Sequence, residues 1–161
     1  MILPDVLAPN LRVVFCGTAA GNRSAQLVAY YAGPGNQFWT TLAAIGLTLH
    51  RIEPLKFQDG LKHRLGLTDL SKDASGADES LRKADFSVAD LRKKIEEYKP
   101  QVLAFTSKKA ARVFFDRRKI EYGLQDDRIG DTKIFILPSP SARARRYWKV
   151  SIWKELADIL E

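Results

Sequence analysis

The strongest constraint on this chain is an apolar run that stops at a glycine-bracketed turn. Leu11-Arg-Val-Val-Phe-Cys16 is β-branched and aromatic, and it leads directly into Gly17-Thr-Ala-Ala-Gly21. A run of this kind reads as a buried strand delivering the chain into a tight turn. Glycine there lets backbone approach a ligand closely, and N–H groups beyond the turn can hold an anion. Two further runs, Val102-Leu-Ala-Phe105 and Lys133-Ile-Phe-Ile-Leu137, are equally apolar. Such strands, separated by helical patterns, imply an α/β fold with a mostly parallel sheet covered on both faces. At 161 residues and 45% hydrophobic content, the chain is expected to form one domain over 1–161. It carries no internal repeat, low-complexity tract or linker.

The remaining elements follow from caps and periodicity. Met1–Asn10 is a lead-in ending in a Pro9-Asn10 turn. Asn22–Tyr30 fits a short helix or an ordered loop. Asn36 can cap a helix from Gln37 through Ile45, with Gly46 as its stop. Leu47–Leu65 reads as an irregular connection with one helical turn, and Gly66-Leu-Thr-Asp-Leu70 as a short strand entering the polar loop Ser71–Asp78. Ser87-Val-Ala-Asp90 resembles a capping box opening a helix that Pro100 ends. Ser107 is expected to cap the next helix, and Tyr147–Leu160 to form a terminal amphipathic helix with Ile152, Leu156 and Ile159 inward.

Composition narrows the function classes. The net charge is +7 and the isoelectric point about 9.6, a balance for which nucleic acid is the leading partner class. A single cysteine, Cys16, excludes an internal disulfide and a Cys-rich zinc site. With only His50 and His63, a histidine metal site is not expected. The N-terminus lacks the pattern of a signal peptide, and no segment approaches the length of a membrane span. A cytoplasmic protein working on the nucleoid, without a membrane partner, is therefore expected.

In a parallel sheet ligands bind beyond the carboxyl ends of the strands. The loops after Cys16, Leu70, Phe105 and Leu137 should gather on one rim. The first brings the Gly17–Gly21 turn with Asn22, Arg23 and Ser24. This is neither a dinucleotide fingerprint nor a P-loop with its lysine. Beyond it lie Tyr30, Tyr31, Asn36, Phe38 and Trp39. Phe38 and Trp39 read as core, and Tyr31 as a face on which a base can stack. Asp69 stands out from Asp73 and Asp78 because it sits at a strand mouth, where a carboxylate can point into the cleft. Pro138-Ser-Pro-Ser-Ala-Arg-Ala-Arg-Arg146 is a rigid turn carrying arginines, as a loop gripping phosphates or entering a groove requires.

Taken together, these motifs resemble the mismatch-specific uracil/thymine DNA glycosylases, over roughly Leu11 to the C-terminal helix. Gly17–Ala25 is similar to the family's first motif, Gly-Ile-Asn-Pro-Gly. Tyr31-Ala-Gly-Pro-Gly-Asn-Gln-Phe-Trp39 is similar to its aromatic–Ala–x–Pro–x–Asn–Arg–Phe–Trp stretch, and Gly66-Leu-Thr-Asp-Leu70 to its Gly-Ile/Leu-Thr segment. Leu137-Pro-Ser-Pro-Ser-Ala-Arg143 resembles the second motif, the loop inserted into DNA. The resemblance implies a three-layer α/β/α sandwich that acts as a monomer on double-stranded DNA. Such an enzyme flips out a deaminated or mismatched base and hydrolyses its N-glycosidic bond, with no metal or cofactor. It also implies Gly17, Thr18, Ala19, Ser24 and Tyr31 around the base. Arg23, Ser139, Pro140, Ser141, Ala142, Arg143 and Arg145 would lie toward DNA, with Ser141-Ala142-Arg143 as the wedge.

One departure matters. Ala19 stands where the family has the asparagine that positions water. Three replacements follow: Asp69, favoured because its charge also suits a cationic sugar, then Asn36, then Asn22. Asn36 has precedent in the hypoxanthine-DNA glycosylase branch, whose first motif also lacks the asparagine. Two other readings compete. One is a catalytically silent lesion-binding module of the same fold. The other is an α/β enzyme for a phosphorylated metabolite, which would need a phosphate lysine or a ribose-binding acid that the sequence lacks.

Overall fold

The computed structural model describes residues 2–76 and 86–160. The elements run β1 (Val13–Gly17), α1 (Asn22–Leu27), α2 (Phe38–Ala44), a 3-10 helix (Pro54–His63) and β2 (Leu65–Asp69). After these come α3 (Val88–Tyr98), β3 (Val102–Phe105), α4 (Lys108–Phe115), β4 (Gly123–Ile129), β5 (Thr132–Ile136), a 3-10 helix (Ala142–Tyr147) and α5 (Val150–Ile159). The sheet order is β2-β1-β3-β5-β4. The first four strands are parallel, and β4 pairs antiparallel to β5 at the edge.

Alternate residues of each strand feed two cores, so the sheet is the middle of three layers. Val13 and Phe15, Leu65 and Leu67, Val102 and Ala104, and Phe135 pack against Phe38, Trp39 and Leu42 of α2 and Trp153 and Leu156 of α5. Val14 and Cys16, Leu103 and Phe105, and Ile134 and Ile136 pack against Leu91 and Ile95 of α3 and Ala110, Ala111 and Phe114 of α4. Cys16 is a buried core thiol, as its place in an apolar strand suggests. Among the described residues no helix is long and apolar enough to cross a membrane.

The differences from the sequence reading are local. Asn22–Tyr30, left open between helix and loop, contains α1. The connection before β2 holds ten residues of 3-10 helix rather than one turn. Ser87 occupies the cap position of α3 but its side chain makes no capping bond. Its φ of −122° and ψ of 84° mark a chain entry other than the fully extended one, −166° and 158°, with which Ser107 caps α4. Ser107 Oγ accepts from the Ala110 N–H at 3.0 Å. The terminal helix starts at Val150, after a separate 3-10 helix; Leu156 is buried as expected, Ile152 and Ile159 are partly buried, and Trp153 is fully buried as well. Strand β4 answers to no element read from the sequence. Asp78 lies outside the described residues.

The lead-in is not a loose tail. Val6 bridges Leu67 through reciprocal backbone bonds of 2.9 Å. It can do so because β2 carries Gly66, where a Cβ would come within 2.8 Å of the Val6 carbonyl. Leu3 and Val6 are buried, and Asp5 is brought beside the carboxyl end of β2.

Candidate active site

Parallel strands of similar length end on one side, and the loops that follow them enclose a cleft of about 850 Å³. Its lining comes from the Gly17–Ser24 turn, from Tyr30 to Asn36, from Asp69, from Thr106 to Lys109, and from Ser139 to Ala144. The four loops expected to share a rim therefore do so.

The floor is set by register. Gly17 is paired with Asp69 across β1 and β2, so both present the same face. Gly17 has no side chain to fill that face, and the carboxylate takes the space. A Cβ on Gly17 would lie 3.1 Å from Asp69 Oδ1, 3.4 Å from Thr106 Oγ1 and 3.5 Å from the Tyr31 hydroxyl. Asp69 is 7% exposed. Burial pushes its carboxyl up to about 6, with Asp5 adding in the same direction and Lys72 and Lys94 opposing. A carboxylate that changes charge near pH 6 is suited to general-base work.

Tyr31 and Thr106 complete the floor. The Tyr31 hydroxyl and Thr106 Oγ1 are 2.9 Å apart, and the Tyr31 ring stacks on Phe38 at 3.9 Å with planes 17° apart. Tyr31 has φ of +52°, a left-handed conformation costing a non-glycine residue about 1–2 kcal/mol. The ring stack and hydroxyl bond hold it there. Phe38 and Trp39 are core, as expected.

The other sequence-derived positions divide by what holds them. Ser24 is buried and its hydroxyl accepts from the Ala32 N–H at 2.9 Å, so it supports the turn that carries Tyr31. Asn36 Oδ1 accepts from the Phe38 N–H at 3.0 Å on the cleft wall, although the cap position of α2 falls to Gln37 rather than to Asn36. Asn22 and Arg23 line the cleft but are exposed, on the first turn of α1. Thr18 and Ala19 line it too, and the Thr18 carbonyl accepts from the Ser71 N–H at 2.7 Å. Asp73 is exposed and does not line the cleft.

The Pro138–Ser141 loop forms the opposite wall and is pinned on both flanks. Trp153 Nε1 donates to the Pro138 carbonyl at 3.1 Å, and the Gln37 N–H donates to the Pro140 carbonyl at 2.9 Å. Ser139 Oγ accepts from the Ser141 N–H at 3.2 Å, and Ser141 Oγ from the Arg143 N–H at 3.3 Å. Ser139 through Arg143 line the cleft. Arg145 does not, and its guanidinium lies beside Gly35.

Sequence reading passed over Thr106, Lys108, Lys109, Arg112 and Tyr122 on the same rim. Lys108 lies over the Tyr122 ring at 4.3 Å. The signal for Thr106 was available, because it follows a strand end just as Asp69 closes one. Among the described residues no group of three or more His, Cys, Asp or Glu is placed to hold a metal ion.

The family model of the uracil DNA glycosylase superfamily matches residues 4–157. The chain belongs to this superfamily. A solved structure agrees with that placement: a solution NMR structure from Methanosarcina acetivorans, described as a "putative uracil DNA glycosylase". It superposes with a TM-score of 0.69 at 26% identity, covering 96% of this chain and 92% of that one. Membership in the superfamily supports a DNA glycosylase built on this α/β sheet, and makes DNA the partner class to expect for the basic cleft.

Proposed function

We propose that the protein is a monofunctional DNA glycosylase that removes uracil from double-stranded DNA, with thymine and hypoxanthine as further substrates, in the manner of the mismatch-specific branch. The observation that carries this reading is the buried Asp69 carboxylate at the cleft floor, in a superfamily member whose first motif offers only Ala19. The target nucleotide turns out of the duplex into the cleft, because the bond is unreachable within the stack. Tyr31, backed by Phe38, gives the base a face, and Gly17, Thr18 and Ala19 border it. Arg23 and the loop from Ser139 to Arg143 engage the DNA, with Arg145 at its margin.

The reaction breaks the bond between C1′ and the base nitrogen. The base leaves with the bonding pair and takes up a proton, while the oxygen of water bonds to C1′ and gives up its proton. Positive charge on the sugar builds before that bond forms. Asp69 is ionised above about pH 6. It then stabilises that charge and orients or deprotonates the water. Asn36 is the next candidate for the water, although its amide oxygen is already committed to Phe38. Asn22 is the third, from an exposed position. The protein works as a monomer of one domain, in the cytoplasm.

Single-turnover release of base from uracil-containing duplexes tests this reading. Wild type should release uracil, Asp69→Asn should be slower by about 10²–10⁴-fold, and Asn22→Ala should stay close to wild type. Full activity of Asp69→Asn would move the role to Asn36, with Asn36→Ala as the deciding variant. Tight duplex binding without release of any base would favour the silent lesion-binding module.

A further inference from the structure

Behind Asp69 lies a cluster of charge that none of the cleft chemistry has used. Lys72 Nζ is 3.0 Å from Asp5 Oδ1 and 3.8 Å from Asp69 Oδ2. It also donates to the Tyr30 hydroxyl at 3.0 Å, which in turn donates to the Pro4 carbonyl at 2.9 Å. Asp5 is held from two further sides. Its Oδ1 accepts from Thr68 Oγ1 at 2.7 Å, and its Oδ2 is 2.6 Å from Lys94 Nζ on α3. Lys72, Asp5 and Lys94 do not line the cleft. The Lys72 and Asp5 side chains are only 13% and 16% exposed, so solvent screens them weakly.

The geometry gives each member a distinct job. An ammonium has three donors, and two of those of Lys72 are taken at hydrogen-bond distance by Asp5 and Tyr30. Asp69 sits beyond that distance, so Lys72 reaches it by charge rather than by a bond that would turn its oxygens from the cleft. Asp5 fixes the ammonium, and Thr68 and Lys94 fix Asp5. Thr68 precedes Asp69 on β2 and projects to the opposite face, so the clamp grips β2 immediately beside its working end.

We propose that Lys72, anchored by Asp5, is a positioning residue that keeps Asp69 charged and turned toward the cleft floor. The proposal rests on the assignment of the water-handling role to Asp69. It adds the device that lets a carboxylate replace an asparagine: a neutral amide can be buried without a counter-charge, whereas a carboxylate needs one. The charged and titratable groups facing Asp69 are Lys72 from the loop after β2, Asp5 from the lead-in, Lys94 from α3, Cys16 from β1, and Tyr30 and Tyr31 from the segment after α1. Lys72 and Asp5 act on Asp69 with opposite signs, so removing each should move it in opposite directions.

The test is the pH profile of single-turnover uracil release for wild type, Lys72→Met, Lys72→Arg, Asp5→Asn and Asp69→Asn, with carbon-13 NMR titration of the Asp69 carboxyl in parallel. Lys72→Met should move the acid limb and the Asp69 titration up by about one pH unit. That lowers release near pH 6 by about fivefold, approaching about tenfold at lower pH, while leaving the alkaline plateau in place. Lys72→Arg should restore the wild-type limb, and Asp5→Asn should move it down. A purely structural role would lower the plateau or the thermal midpoint and leave the limb where it was. If Lys72→Met does not fold, Lys72→Gln takes its place in the NMR titration. An Asp69 titration unmoved in the Met or Gln variant overturns the proposal. Wild-type release by Asp69→Asn would instead overturn the assignment on which it rests, whatever the titrations show.

Discussion

An ionised carboxylate at 7% exposure is a cost that the fold carries for its site. The sign follows from the shift of Asp69 from 3.8 to about 6. Below 3.8 the folded and unfolded chains both hold the proton, and the cost is absent. Between 3.8 and 6 the unfolded chain releases it first, so stability falls as pH rises, and above 6 the cost is fully present. Asp5 works the other way, since its carboxyl is held below the ordinary range by Lys94, Thr68 and Lys72 against the desolvation of burial, and its contribution fades as pH falls. Asp69→Asn should therefore be more stable than wild type by about 1–3 kcal/mol at neutral to alkaline pH. The gain should shrink toward about pH 4. Urea denaturation at both ends of that range measures it, and an asparagine variant weaker than wild type above pH 7 would contradict the burial cost. The same substitution is predicted to stabilise the fold and stop the chemistry, a trade expected of a working residue.

One element, the pinned Pro138–Ser141 loop, ties the C-terminal helix to the cleft. Trp153 is fully buried, stacks on Phe15 at 6.0 Å, meets Phe38 edge-on at 5.8 Å, and holds the Pro138 carbonyl. Trp153→Phe keeps an aromatic ring but removes that donor, at an expected cost of about 1–3 kcal/mol. It should also lower affinity for duplex DNA with little change in which base is released, as read by urea denaturation and duplex titration. What the sequence disclosed at this level varied with the element. Val102–Phe105 and the Ser107 cap were legible to the residue, because an apolar run and a serine before a helix are local signals. Gly123–Ile129 was not, because an edge strand bearing Asp126, Asp127 and Arg128 looks like a loop until a neighbour pairs with it. The early start read for the last helix, at Tyr147, falls on the final residue of the separate 3-10 helix Ala142–Tyr147, three residues before α5 begins at Val150.

Across the whole molecule, the convergence of four loops on one rim could be read from the alternation of apolar strands with helices, which implies parallel strands. Asp69, Gly17 and Tyr31 were found this way, each adjoining an apolar run or a glycine. Lys72 and Asp5 were not, because their meaning depends on register and on the path of the lead-in over Gly66, which spacing does not encode. The charge of the rim is lopsided: among the described residues, Arg23, Lys108, Lys109, Arg112 and Arg143 line the cleft against a single acid, Asp69. Binding to duplex DNA should weaken steeply with salt. Arg143→Ala should lower the slope of log affinity against log salt by about 1, equally for uracil-containing and undamaged duplexes. An unchanged slope with altered base choice would assign Arg143 to the base instead. The bond from Gln37 to Pro140 has a consequence for how lesions are found. If the cleft takes a turned-out base as proposed, that bond couples the wall beside the base to the loop that would meet the helix, and the two are expected to move as one piece. Capture would then follow the opening of the duplex itself, and release is expected to be faster from weakly paired sites than from the same base in a stable pair. Single-turnover release from uracil opposite guanine and opposite adenine checks this.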